Sequence, residues 1–213
     1  MFVARPGKDG PGARAGLSAA GASDPDRLQC SHMDHVDLAT LAFPVEGVRL
    51  DGPLLGDQFK RRTLLVFLRH FGCLFCREMV KDLRRASETI ASFPQVLYVY
   101  QGSVEDGEWF FGRFSPESPA IADTPKKLYE AFGLQPGKKG QMFGPMVWPC
   151  AIRAVTKGNL GGKPVGDVWM MPGMFLIQPD GAITWQHRFA HIGDHPDLRS
   201  IPTGTAPLIA QPA

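Results

Sequence analysis

One stretch constrains the fold more than any other: Thr63 to Ile90, TLLVFLRHFGCLFCREMVKDLRRASETI. Thr63 to Leu68 is an apolar, β-branched run of strand length, the pattern of a strand buried on both faces. From Cys73 the period changes. Phe75, Met79, Leu83, Ala86 and Ile90 recur at helical steps, while Arg77, Lys81, Asp82, Arg84, Arg85 and Glu88 take the opposite face. A buried strand and a long amphipathic helix therefore meet across a tight loop that ends in Cys73-Leu74-Phe75-Cys76.

The rest of the chain continues the alternation. Val45 to Leu50, Val96 to Tyr100 and Ala120 to Ala122 read as strands. Glu105 to Phe114 reads as a helix with Trp109, Phe110 and Phe114 on one side. Thr124-Pro125 opens a further helix through Phe132, with Thr124 as N-cap, Pro125 at the first helical position and Gly133 closing it. Residues 137–167 are the least regular. Met142 to Thr156 is expected to be helical in part, interrupted by Pro145 and Pro149, and Gly158 to Gly166 is a glycine-rich loop. Met174 to Ile177, a Gln178-Pro179-Asp180-Gly181 turn and Ala182 to His187 then form a β-hairpin. The order β-α-β-α-(β)-α-β-β gives an α/β fold: a central sheet flanked by helices on both faces, with an insertion before the C-terminal hairpin. Ligand chemistry in such sheets falls at the carboxyl ends of strands, which is where Cys73 sits.

Composition narrows the function classes. Of 213 residues 44% are hydrophobic, enough for a sizeable core. Residues 1–35, rich in Gly, Ala, Pro and Asp, are expected to be a disordered arm, with Met33 a candidate start; 45–198 form the domain and 199–213 a loose tail. With 23 basic and 21 acidic residues, the net charge of +2 gives no reason to expect nucleic acid or a membrane as partner. No window approaches the roughly 18 apolar residues of a membrane span, and the N-terminus lacks the apolar core of a signal peptide. Four scattered cysteines exclude a disulfide-stapled secreted domain, so a cytoplasmic location is expected.

Chemistry concentrates at Cys73 and Cys76. The thiolate is the nucleophilic form of cysteine. Cys73 lies at a helix N-terminus, where free N–H groups and the helix dipole favour negative charge. Arg69, His70 and Arg77 surround it in sequence, and Phe71-Gly72 lets the backbone come close. Cys76, one turn on, is placed to close a disulfide with it. Cys73 is expected to be exposed and to attack, with Cys76 facing into the helix and resolving. A zinc site lacks its second ligand pair, and no metal is expected. A hydrolytic nucleophile with His70, His187 or His191 as base and a structural pair of thiols are the other readings. Cys30 reads as an incidental thiol and Cys150 as a buried small hydrophobe. His187, His191 and His195 are four apart, but Gly193 and Pro196 argue against a helix aligning them; a loop where one His or Arg188 adjusts a pKa or binds an anion fits better.

FLRHFGCLFCREMVKDL, FGPMVWP and GDVWMMPGMFLIQPDGAITWQHRFAHIGDHP, in that order, resemble the AhpC/TSA-type peroxiredoxin-like proteins, including the selenoprotein-L and peroxiredoxin-like groups. The resemblance spans roughly Val45 to Leu198. It implies a thioredoxin-like fold, Cys73 as redox nucleophile, Cys76 as its partner and Pro172 as the cis proline facing them. Arg69 and Arg188 are candidates to stabilise a peroxide or thiolate. Typical members carry P-x-x-x-T-x-x-C; here His70 takes the Thr position and Val66 the Pro position, so peroxidase and disulfide reductase both stay open. Either uses no dissociable cofactor and is recharged by a thiol such as thioredoxin, glutaredoxin or glutathione. Non-redox thiol catalysis and a binding protein with an idle C-x-x-C are the rivals.

Overall fold

The computed structural model describes residues 33–203. Cys30, the arm before Met33 and the tail from 204 lie outside the described residues, so the expectations for them are not addressed. The elements run α1 (Leu38–Leu41), β1 (Glu46–Val48), β2 (Thr63–Phe67), α2 (Leu74–Thr89), β3 (Gln95–Tyr100), α3 (Val104–Phe114) and β4 (Ala120–Ala122). Then come α4 (Lys127–Ala131), α5 (Lys139–Phe143), α6 (Val147–Thr156), β5 (Gly173–Ile177) and β6 (Ile183–Arg188).

One six-stranded sheet carries the fold, in the order β1-β4-β3-β2-β5-β6. β2, β3 and β4 are parallel; β1 pairs antiparallel with β4, β5 with β2, and β6 with β5. Each parallel step needs a crossover, and α2 and α3 supply them. Side chains alternate across the pleat. Leu64, Val66, Tyr98 and Met174 pack with α2, α3 and α6 residues in one core. Leu65, Phe67, Val99 and Phe175 pack with α4 and the segment before β2 in the other. Both faces of β2 are therefore dry, which is why Thr63–Phe67 carries no alternation of polar residues.

Three local expectations are corrected. The inner stripe of α3 is Gly107, Phe110 and Phe111, and Phe114 packs beside it, an i, i+3, i+4, i+7 set. Trp109 falls outside that stripe and is 60% exposed. Thr124 does not cap α4. The helix begins at Lys127, and the Asp123 carboxylate accepts from the N–H groups of Lys127 (3.0 Å), Leu128 (2.8 Å) and Tyr129 (3.3 Å). Thr124 Oγ1 instead donates to Gly102 O at 3.0 Å. A carboxyl group brings two acceptor oxygens to the orphan donors where a hydroxyl brings one, so it takes the cap. In 137–167, Pro145 separates two helices, whereas Pro149 sits within the first turn of α6, where its missing N–H costs nothing.

Among the described residues no helix is long and apolar enough to cross a membrane.

Candidate active site

β2 ends at Phe67, and the chain turns through Leu68-Arg69-His70-Phe71-Gly72 to Cys73, the N-cap of α2. The loop is pinned from several sides. Tyr129 Oη donates to Leu68 O and to Val99 O (3.1 Å), Gln101 Nε2 to Arg69 O (2.7 Å) and Arg77 Nε to Phe71 O (3.1 Å). Phe71 stacks on Phe110 with ring centroids 4.0 Å apart. The glycine-rich loop lies over it: Gly162 N donates to Gly72 O (3.0 Å), and Arg77 Nη1 donates to Leu160 O (2.7 Å). A Cβ on Gly72 would stand 2.3 Å from Gly162 O, so only glycine permits that approach.

Cys73 is 5% exposed, as is Cys76, which corrects the expectation that Cys73 stands open to solvent. The loop over the neighbouring Gly72 comes from Leu160 and Gly162, far along the chain and beyond the reach of local pattern. Arg69 Nη1 donates to Cys73 Sγ at 3.3 Å. The same guanidinium reaches Val168 O and approaches Met142 Sδ at 3.9 Å. Gln101 Oε1 accepts from Asp167 N (3.0 Å), fastening the neighbouring turn of the insertion to the end of β3.

These contacts split the two thiols. A hydrogen bond from the Cys76 thiol, the positive charge of Arg69 and the N–H groups of Cys76 and Phe75 outweigh burial and bring Cys73 down to about 6. Cys76 goes the other way: its proton is held by the hydrogen bond to Cys73, and burial and the Cys73 charge oppose its ionisation. One sulfur is a thiolate near neutrality and the next is a proton donor to it. Neither is bonded to the other; both are free cysteines.

The remaining candidates separate. His70 is pushed down to about 4 by burial and by the charges of Arg69 and Arg77, so it is neutral at pH 7 and adds no positive charge. Its Nδ1 is buried without a hydrogen-bond partner among the described residues. Pro172 lines a cavity of about 20 Å³ together with Arg69, Phe75, Cys76, Met79 and His195, room for about one water-sized molecule. Arg188 is not with them. It donates to Gly133 O (3.1 Å) and Phe132 O (3.2 Å) and lies over Phe175, in the core on the other face of the sheet. The three C-terminal histidines do not form a row. His187 Nε2 is 3.3 Å from Asp194 Oδ2, and His195 Nε2 is 3.7 Å from Glu78 Oε2. Cys150 is half-buried against the core beside Gly193.

Sequence reading missed Gln101 and Glu78. Gln101 is the first residue past the carboxyl end of β3, a position that topology marks for chemistry. Glu78 is fully buried on the inner face of α2, a charge within an apolar stripe, and that misfit is a legible signal. Arg153 grips it twice (3.0 and 3.2 Å) and Lys157 Nζ lies 2.9 Å away. Burial works to raise the Glu78 carboxyl, and these two cations outweigh it, leaving it below the usual range. Glu78, Asp82 and His195 bring one ligand atom each to within 4.8 Å of one another, but Arg153 and Lys157 already neutralise the carboxylates there.

A family model described as AhpC/TSA antioxidant enzyme matches residues 82–191, about half of the chain. The chain belongs to the AhpC/TSA antioxidant enzyme family. The matched residues begin beyond both cysteines, so membership describes the scaffold rather than the thiol chemistry. Among curated relatives, peroxiredoxin-like 2C of Bos taurus is 24% identical over 161 residues, 70% of either chain. Prostamide/prostaglandin F synthase of Xenopus tropicalis is 28% identical over 178 residues, covering 79% of this chain and 88% of that protein. Among solved structures, Xanthomonas campestris peroxiredoxin Q superposes with a TM-score of 0.51 at 17% identity, covering 74% of this chain and 86% of that one. Peroxidoxin BcpB of Mycobacterium tuberculosis gives 0.51 at 15% identity, covering 80% and 99%. These structures share the thioredoxin fold with this chain.

Proposed function

We propose that this chain is a thiol-dependent peroxidase that cycles between a Cys73/Cys76 dithiol and a disulfide. The observation that carries the reading is the split between the two sulfurs, with Cys73 lowered to about 6 beside Arg69 and Cys76 held protonated. Cys73 thiolate attacks the terminal oxygen of a hydroperoxide. The O–O bond breaks, Cys73 becomes a sulfenic acid, and the leaving alkoxide takes a proton to become an alcohol, or water when the substrate is hydrogen peroxide. Cys76 then attacks Cys73 Sγ, forming the disulfide and releasing water. An external thiol such as thioredoxin, glutaredoxin or glutathione, supplied by a reducing cytoplasm, reduces that disulfide at the cost of its own oxidation. Arg69 favours the thiolate before attack. Pro172 bounds the cavity beside the pair.

The same reading favours a small peroxide over a protein disulfide. Both sulfurs are buried and the adjoining cavity admits about one water-sized molecule. The test is peroxide turnover with a thiol donor in three proteins. Cys73→Ser is expected to lose turnover. Cys76→Ser is expected to consume one equivalent of peroxide and stop at a Cys73 sulfenic acid, trapped by a sulfenic-specific reagent. Full steady-state turnover in Cys76→Ser would replace the dithiol cycle with a simple nucleophile, and full turnover in Cys73→Ser would end the assignment.

A further inference from the structure

The insertion between β4 and β5 carries an apolar face that nothing among the described residues covers. Eleven large hydrophobic side chains are exposed among the described residues, and eight of them lie between residues 143 and 169. α6 is apolar on two sides. Val147, Cys150, Ala151 and Ala154 face the core, while Trp148 (70% exposed), Ile152 (64%) and Val155 (48%) form an i, i+4, i+7 stripe outward. Met146 and Phe143 extend the exposed surface toward α5, and Phe143 meets Trp169 edge to face at 6.1 Å. Contiguous exposed patches of this kind mark binding surfaces in folded proteins.

Charge indicates what covers it. From residue 131 to 166 there is no acidic residue and there are five basic ones: Lys138, Lys139, Arg153, Lys157 and Lys163. Arg153 and Lys157 are used internally by Glu78 and Asp82. Lys138, Lys139 and Lys163 are exposed and have no ion pair among the described residues. The overall balance of the chain hides this local excess. Exposed Trp and Phe rings in a segment that also carries three exposed lysines and no carboxylate suit the interfacial layer of an anionic bilayer: rings enter at headgroup depth and lysines meet the phosphates. A second copy of the chain fits less well, because a two-fold interface would set each cationic segment against itself.

We propose that residues 138–169 form a docking surface for an anionic lipid bilayer. The same segment supplies Met142 and Val168 to Arg69, so docking would hold the segment that contacts the Cys73 loop against the bilayer, with small peroxides as the substrate; this last step alone rests on the peroxidase reading.

The test is co-sedimentation of the full chain, carrying Cys73→Ser so that no turnover is involved, with vesicles of phosphatidylcholine alone or with added phosphatidylserine. Binding is expected to the anionic vesicles, to fall with salt, and to weaken by about fivefold for each of Lys138, Lys139 and Lys163 changed to Gln. Trp148→Ser with Ile152→Ser is expected to weaken it at least as much, with the circular dichroism unchanged because both side chains are exposed. Absence of binding to anionic vesicles, equal binding to neutral ones, or binding indifferent to both sets of substitutions would overturn the proposal. So would a dimer in solution that the Trp148/Ile152 variant dissociates, since a second copy would then be the occupant. Membrane binding by a chain that proves inactive toward peroxide would leave the docking surface standing and remove only its enzymatic use.

Discussion

Arg69→Met isolates the contribution of one charge to the nucleophile. The substitution keeps the length of the side chain and removes the Nη1 donor 3.3 Å from Cys73 Sγ. Coulomb attraction at that distance gives about 5 kcal/mol with an effective dielectric of 20, a ceiling because solvation compensates part of it. A charge-assisted hydrogen bond contributes about 1.5–3 kcal/mol net, the better guide here. At 1.36 kcal/mol per pKa unit, that is a rise of about one to two units. The Cys73 midpoint should move from about 6 into the range of about 7–8. At pH 7 the thiolate fraction then falls from about nine-tenths to between about a half and a tenth. The reactive form is the deprotonated one, so reactivity climbs as pH rises through the midpoint in both proteins, and the gap between them closes by about pH 9. Pulsed alkylation with iodoacetamide across pH 4–10, read as modification of the Cys73 peptide by mass spectrometry, measures both midpoints. Cys76→Ala serves as the reference, since the Cys76 hydrogen bond lowers Cys73 more than Arg69 does and its loss should produce the larger rise. A midpoint that stays put in Arg69→Met, or moves down, would refute the electrostatic account.

Three further outcomes follow from the same geometry. Gly72→Ala sets a Cβ 2.3 Å from Gly162 O, and should lift the glycine-rich loop away and quicken alkylation of Cys73 at fixed pH; an unchanged rate would mean that the loop does not limit access. His70→Asn should leave the alkylation midpoint near 6, because His70 titrates near 4 and is neutral on both sides of it; a midpoint shifted by one unit would assign His70 a charge it lacks here. Glu78→Gln should cost about 2 kcal/mol in urea denaturation at pH 7, below the roughly 3–5 of a fully buried pair because Arg153 and Lys157 are 38% and 44% exposed and can turn to solvent. Glu78 is held below its usual value of 4.5, so it adds stability above that pH and loses it as pH falls through the lowered folded value; the difference between wild type and variant should shrink on acidification, and a constant difference would point to packing instead.

The strands and α2 were legible because period and β-branching are local signals. Thr63 to Leu68 and Val96 to Tyr100 read as buried runs and form strands over Thr63–Phe67 and Gln95–Tyr100, and the stripe from Phe75 through Ile90 lies on a helix over Leu74–Thr89. Errors arose where neighbouring options compete. Thr124-Pro125 has the form of a helix start, yet Asp123, one residue earlier, reaches three N–H groups and displaces it. Trp109 and Phe111 flank Phe110, and only the position of the sheet decides which ring turns inward. At the site, Cys73, Cys76 and Arg69 could be named from their spacing around one loop. The grip on Arg69 could not, because it comes from Met142 and Val168, far along the chain. Arg188 reads as a candidate to stabilise a peroxide or thiolate, but its side chain lies over Phe175 and donates to Gly133 O and Phe132 O, in the core on the other face of the sheet.

Arg69 is held by Val168, 99 positions away, and by Met142, 73 positions away. Contacts of that span carry a larger loop-closure cost than those within a helix, so they are expected to close after the local helices. Until then Cys73 has neither the guanidinium nor the buried Cys76 proton beside it and behaves as an ordinary thiol, mostly protonated at neutral pH. In the peroxidase proposed above, a chain still emerging from synthesis would thereby be spared the over-oxidation that an acidic cysteine invites. Reactivity at Cys73 would then certify completed assembly.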